Sequence, residues 1–248
     1  MKQSFVRLDV LVKPENQAHL QGPLINRMIM DTCRGMSFLH LHKPPIVHRD
    51  LKGQNILVDD NWHCKVADFG LSQLEKEFIP DDSIVNRQQG GTILWAAPEL
   101  LTSEQEVATE ASDVYSFGVV LFEFLYRETP YQSVDSKSIV YMVSQGKRPD
   151  MYASQKAQAS ILRLDQGLVP LLKLMKRCWS EDPRDRPTFH DILTKLEEES
   201  QAYRKEYKFD VNATMRKGGK RGRRASISSN VDKGKFHLDA KEITIGKR

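Results

Sequence analysis

His48 Arg49 Asp50 Leu51 Lys52 Gly53 Gln54 Asn55 is followed, twelve residues after the asparagine, by Ala67 and then Asp68 Phe69 Gly70. Between them lie two short apolar runs, Ile56 Leu57 Val58 and Cys64 Lys65 Val66, separated by Asp59 Asp60 Asn61. Those three residues supply turn chemistry, so the intervening stretch reads as a β-hairpin. Two carboxylates and one amide are thereby gathered around one hairpin, where they can share an anionic substrate and its cations. Oxygen ligands such as Asn55 and Asp68 suit a hard ion like Mg²⁺. Asp50, on the loop beside them, is free to orient a hydroxyl and accept its proton. Phosphoryl transfer needs this combination, because it asks the protein for alignment and charge neutralisation rather than covalent chemistry.

Upstream of that loop, Ile25, Met28, Ile29, Cys33, Met36, Leu39 and His40 fall at helical spacing, and Pro44 and Pro45 stop the helix. Residues 1–22 are weakly patterned. Downstream, a loop rich in Gly, Gln and Asp leads to Pro98, and the stretch from Ala111 to Arg127 is apolar on nearly every face, which predicts a helix through the middle of the core. Further helices are expected at about 136–146, 168–179 and 188–203, the last opened by Thr188 with Asp191 at capping-box spacing. After Asp210 the periodicity disappears.

Composition sets the outer bounds. The 248 residues are 40% apolar and 28% charged, as in a soluble globular chain; no apolar run approaches the length of a membrane span, and the N-terminus has no apolar signal core. The three cysteines, Cys33, Cys64 and Cys178, lack the paired spacing of a disulfide framework or zinc site, which makes a reducing, cytoplasmic setting the default. Residues 204–248 hold 14 Lys/Arg against 5 Asp/Glu, and residues 1–203 hold 23 against 28, so a body of net charge −5 carries a tail of +9. Arg216 to Asn230 has one large apolar residue, Ile227, and is expected to be a disordered linker. Its six cations between Arg216 and Arg224 could meet nucleic-acid phosphates, but without interleaved aromatics a solvated linker or a nuclear-import-like patch is favoured over a nucleic-acid partner.

The His48–Asn55 loop with Asp68 Phe69 Gly70 resembles the catalytic lobe of a eukaryotic protein kinase. The likeness continues in order through Gly91 Thr92 Ile93 Leu94 Trp95 Ala96 Ala97 Pro98 Glu99, then Ser112 Asp113 Val114 Tyr115 Ser116 Phe117 Gly118, then Cys178 Trp179 and Asp182 Pro183 Arg184 Asp185 Arg186 Pro187. It covers roughly residues 5–203 and implies a mainly α fold: a helical C-lobe whose short hairpin carries the catalytic loop. By this resemblance Asp50 is the catalytic aspartate, Lys52 contacts the transferred phosphate, Asn55 and Asp68 hold Mg²⁺, and Leu57 lies under the adenine of ATP. Glu99 would pair with Arg186, Asp113 would brace the loop backbone, and His48, Arg49 and Phe69 would be structural. Lys52 and Thr92 together are the combination expected where a lysine and a hydroxyl flank an entering Ser or Thr of a protein substrate. Trp95, the Ser112–Gly118 run and Cys178 Trp179 resemble the tyrosine-kinase-like (TKL) group, whose members are mostly Ser/Thr-directed. Ala96 stands where a methionine is more usual.

The resemblance also implies parts that are not found before His48, namely a glycine-rich loop, a strand lysine and its partnering glutamate. The expectation is a C-lobe awaiting an N-lobe upstream, or else a misassigned start at Met1, with the first 47 residues supplying only the two helices that open the large lobe. At the other end, Leu238 to Arg248 resembles the segment that opens a second kinase domain, as in a tandem-kinase protein, with Ile243 and Ile245 on one strand face. Arg223 Arg224 Ala225 Ser226 makes Ser226 a candidate phosphorylation site. The competing function is a pseudokinase or kinase-homology scaffold, to which Asp50, Asn55 and Asp68 together would be superfluous.

Overall fold

The computed structural model describes residues 5–12, 22–68, 73–74, 92–102, 107–162 and 169–200. The chain divides into two units, residues 1–196 and 197–248. The loop through Phe69 and the expected linker and strand of the tail lie outside the described residues.

Helices dominate. After β1 (Phe5–Arg7) and α1 (Leu8–Leu11) comes α2 (Gly22–His40), followed by β2 (Ile46–Val47), β3 (Ile56–Asp59), β4 (Cys64–Val66) and β5 (Gln73–Leu74). The remainder is α3 (Pro98–Thr102), α4 (Glu110–Tyr126), α5 (Ser136–Ser144), α6 (Gln155–Leu162), α7 (Val169–Cys178) and a last helix, α8, over 189–200. Among the described residues no helix is long and apolar enough to cross a membrane.

The centre of the lobe is α4, in which every residue from Ser112 to Leu125 is buried. A capping box starts it: Ser112 N–H donates to Thr109 Oγ1 and Thr109 N–H donates to Ser112 Oγ. Arg127, left-handed at φ 60°, ends it. Gly118 lets α4 run close against α7, because a Cβ there would lie 3.0 Å from the Cβ of Cys178 and 3.2 Å from the backbone nitrogen of Trp179. Burial pushes the Cys33 and Cys178 thiols well above their ordinary range and Cys64 to about 12, so all three pack as small apolar groups. The expected box at α8 is present, with Asp191 N–H donating to Thr188 Oγ1 and Thr188 N–H to the Asp191 carboxylate.

The hairpin β3–β4 pairs Ile56 with Val66 and Val58 with Cys64. Asp59 Oδ1 closes its turn by accepting from the N–H groups of Asn61 and His63, both at 2.9 Å. The turn is tied to α2, where Arg27 donates to the Asn61 carbonyl at 2.6 Å and Asp31 accepts from His63 Nδ1 at 2.9 Å.

Two corrections to the sequence reading concern strands. Residues 1–22 do not open with helix alone: Phe5–Arg7 is extended and pairs antiparallel with β3, Val6 opposite Val58, making the hairpin a three-stranded sheet. Three residues are too few to show a period of two, and their partner lies some fifty positions away. The other is β2 with β5, a two-residue antiparallel pair that joins the chain just before His48 to the chain just after the Asp68 Phe69 Gly70 segment.

Candidate active site

The loop from His48 to Asn55 hangs between β2 and a 3₁₀ turn, Gly53–Asn55, that leads straight into β3. Its backbone is held from below by α4. Asp113, buried at the start of that helix, accepts from the backbone N–H of His48 (2.7 Å), the N–H of Arg49 (2.9 Å) and the His40 ring Nε2 (2.9 Å). That anchoring offsets the cost of Arg49 at φ 71°, a left-handed conformation that costs a non-glycine residue about 1–3 kcal/mol. His48 is braced at both ring nitrogens: Nδ1 accepts from Asp50 N–H at 3.3 Å and Nε2 donates to the Ala67 carbonyl at 3.1 Å, which fixes its tautomer. One imidazole therefore links the loop to the strand end that carries Asp68.

Asp50 is 8% exposed, and its two carboxylate oxygens differ. Oδ2 takes the Lys52 ammonium at 2.8 Å and the Asn55 amide at 2.9 Å; the same amide also donates to the Asp50 carbonyl at 2.8 Å. Oδ1 is buried and has no partner among the described residues. Leaving a buried acceptor unpaired costs about 1–3 kcal/mol, so such an oxygen is retained where an incoming donor completes it. A substrate hydroxyl would be such a donor, and the carboxylate would then accept its proton.

With both amide hydrogens spent on Asp50, Asn55 presents its side-chain carbonyl oxygen as the group left for a cation. Ala67 N–H donates to the Asn55 backbone carbonyl at 2.9 Å, so Asn55 and the exposed Asp68 sit at the same end of the hairpin. Asp68 is left-handed at φ 62°. Among the described residues no group of three His, Cys, Asp or Glu gathers as a metal cage. An amide and a carboxylate at one strand end suit a hard ion that completes its shell with water and phosphate oxygens. Leu57, half-buried, lies mid-strand opposite Arg7 and Lys65.

The 3₁₀ turn Thr92–Trp95 leads into α3. Thr92 opens the turn, and its side chain is outside the described set, as are Phe69 and Ser226. Glu99 and Arg186 meet in a two-pronged ion pair, Nη1–Oε1 at 2.7 Å and Nη2–Oε2 at 2.9 Å. The Arg186 side chain is wholly buried, and its remaining donors go to the carbonyls of Ser180, Ala111 and Glu181.

Glu123 is the residue that sequence reasoning missed. It looks like a polar interruption of an apolar helix, yet its Oε2 accepts from Trp95 Nε1 at 2.9 Å and from Gly53 N–H at 3.3 Å. An acid in the middle of the apolar run of a buried helix was the available signal, because such a group must be satisfied by something outside its own helix.

A helical lobe that offers an orphaned carboxylate oxygen beside a lysine, with an amide and a carboxylate at the adjoining strand end, defines the large lobe of a protein-kinase fold. The chain belongs to that family: residues 4–196 match protein tyrosine and serine/threonine kinase. It is 38% identical over 178 residues to a probable serine/threonine-protein kinase, drkC, of Dictyostelium discoideum, covering 72% of this chain and 22% of that protein. It is 34% identical over 175 residues to ankyrin repeat and protein kinase domain-containing protein 1 of Mus musculus, with 71% and 23% covered. It is 38% identical over 176 residues to receptor-interacting serine/threonine-protein kinase 3 of Rattus norvegicus, with 70% and 35% covered. The chain thus spans about a quarter to a third of the length of these relatives.

Proposed function

We propose that this chain provides the catalytic lobe of a TKL-type serine/threonine kinase, transferring phosphate from ATP to a protein hydroxyl. The observation that carries the reading is the asymmetry of Asp50: one oxygen held by Lys52 and Asn55, the other buried without a partner among the described residues. In this reading Asp50 orients the acceptor Ser or Thr hydroxyl and takes its proton. Lys52 is already beside that carboxylate and steadies the phosphate being transferred, while Thr92 stands on the acceptor side. Asn55 and Asp68 would hold Mg²⁺, which when bound neutralises the phosphate oxygens. Leu57 would lie beneath the adenine. Relatives named as serine/threonine kinases support Ser/Thr over Tyr as acceptor. The reading places the chain in the cytoplasm, or on the cytosolic face of a larger protein, where ATP is available.

The deciding experiment measures transfer from labelled ATP to Ser/Thr substrates in a protein that joins residues 1–248 to a kinase small lobe. Asp50→Asn should reduce the rate by about 10²- to 10⁴-fold, the usual cost of losing a positioned base. Undiminished transfer by that variant would remove Asp50 from the mechanism and the function with it.

A further inference from the structure

Among the described residues two arginines are buried, Arg186 and Arg148. The first is the partner of Glu99. The second has no part in the site described above, and arginine is seldom buried unless it is paired. Its side chain is 9% exposed, and each of its nitrogens is engaged. Nε donates to the Trp179 carbonyl at 2.9 Å, Nη1 to the carbonyls of Lys147 at 2.9 Å and Val143 at 3.4 Å, and Nη2 to Glu181 Oε2 at 2.6 Å. Val143 and Lys147 stand at the end of α5 and just beyond it, Trp179 and Glu181 on the chain leaving α7. One planar fork therefore ties two helix ends together, where backbone carbonyls lack partners of their own and the helix dipole favours a cation.

Arg186 grips the same stretch. Its Nε donates to the Ser180 carbonyl at 2.9 Å and its Nη2 to the Glu181 carbonyl at 3.1 Å. Three successive carbonyls, of Trp179, Ser180 and Glu181, are thus held by two guanidinium groups, which lie 5.2 and 5.1 Å from the centroid of the Tyr115 ring. Arg186 in turn holds Glu99 on α3, and α5 packs against both α3 and the turn Thr92–Trp95.

We propose that Arg148 is a positioning residue for the acceptor side of phosphoryl transfer, holding α5 at one setting on the end of α7 and so fixing the turn Thr92–Trp95 that α5 packs against. The proposal rests on reading that turn as the acceptor side. α5 has nine residues and buries only Ile139 and Val143, so apolar packing alone holds it weakly and the fork decides its setting. Geometry matters more than charge here. The Glu181 side chain is 57% exposed, so its ion pair with Arg148 is screened and contributes little. The carbonyls of Val143, Lys147 and Trp179 need a rigid group whose donors point several ways. A lysine would keep the charge but present one ammonium in place of the fork.

The test uses the ¹⁵N-labelled 248-residue protein at pH 6.5 and needs no transfer activity. The chain has three tryptophans, so it gives three indole signals, each identified by its loss in Trp62→Phe, Trp95→Phe or Trp179→Phe. Trp62, on the hairpin turn, is the control. In Arg148→Lys the Trp95 and Trp179 signals should both move while that of Trp62 stays. In Glu181→Gln, whose amide oxygen still accepts from Arg148, all three should stay. Movement of Trp179 without Trp95 would make Arg148 a local cap of α7 and overturn the proposal. Movement of Trp95 in Glu181→Gln as large as in Arg148→Lys would overturn it as well, by giving the setting to the ion pair. If the lysine variant does not fold, hydrogen exchange in the wild-type protein decides. The N–H of Lys147, bonded to the Met142 carbonyl, and the N–H of Ala96, bonded to the Ile93 carbonyl, should become exchangeable at the same denaturant concentration, because α5 and the turn open as one unit. Separate release would overturn the proposal. Failure of the kinase reading is distinct, because it would appear as transfer undiminished by Asp50→Asn while these signals still behave as described.

Discussion

At the scale of the residue, the candidate site sets two carboxylates in different surroundings. Asp50 is buried and clamped at one oxygen, whereas Asp68 is exposed at a strand end. The proposed roles predict separate losses: Asp68→Ala should weaken Mg²⁺-dependent nucleotide binding, since a metal bridging phosphate oxygens loses a charged ligand, and Asp50→Ala should not weaken it comparably. Titration of Mg-nucleotide into the two variants checks this, and equal losses would reject the division. Glu123 supplies a prediction about stability. Burial lifts its acid from the ordinary 4.5 to about 8, so the folded protein holds that proton more tightly than the unfolded chain. The resulting stabilisation is complete below about pH 4.5, is lost as pH rises to about 8, and does not change above that. Glu123→Gln has no such proton. The Tm of wild type minus that of the Gln variant should therefore fall between pH 5 and 8 and level off by pH 9; a difference that widened with pH would show the acid to be ionised in the fold.

Between elements, the ion pair of Glu99 on α3 with Arg186 joins two segments 87 positions apart in sequence. The Arg186 guanidinium is fully buried and Glu99 partly so. Removing either partner should cost about 3–5 kcal/mol, because the survivor is left charged and unpaired, and removing both should cost less than the sum. Thermal melts of Glu99→Ala, Arg186→Ala and the double variant measure this coupling, and additive losses would show that the two side chains act independently. This pair and the hairpin were legible in the sequence for different reasons. The hairpin is local: apolar triplets flank Asp59 Asp60 Asn61, and the chain has only to turn back on itself. The pair came from family likeness, since nothing near Glu99 or Arg186 says what either meets. α4 could be read from its continuous apolar run, yet that run hid Glu123, whose partners lie 28 and 70 positions away. β1 escaped notice because its extended state is imposed by the edge of β3. Contacts that depend on a distant neighbour leave no periodicity at either end.

For the molecule as a whole, charge and content separate what the lobe holds from what transfer requires. The tail from 204 to 248 has net charge +9 beside a body of −5, and Ser226 follows Arg223 and Arg224 within it. We expect a basophilic kinase to phosphorylate Ser226, each phosphate adding about −1.5 to −2 charge at pH 7; recovery of that peptide only unmodified in mass spectra of the native protein would refute this. The larger prediction concerns turnover. Residues 1–47 contain just two glycines, Gly22 and Gly35, and Gly22 opens a helix while Gly35 lies inside it, so they form no phosphate-cradling loop. In the proposed reading Asp50 is the base, Lys52 steadies the phosphate and Asn55 and Asp68 hold the metal, while a glycine-rich cover and the strand lysine that the family's chemistry uses on the α/β-phosphates would have to come from a small lobe. Charges stabilised by Asp68, Asn55 and Lys52 would then face water on one side, where the favourable electrostatics of a closed site are screened. The expected outcome is that residues 1–248 alone show no Asp50-dependent transfer from labelled ATP, while the same residues joined to a kinase small lobe do. Transfer by the 248 residues that is abolished by Asp50→Asn and matches the joined protein in rate would show that this lobe closes its own site.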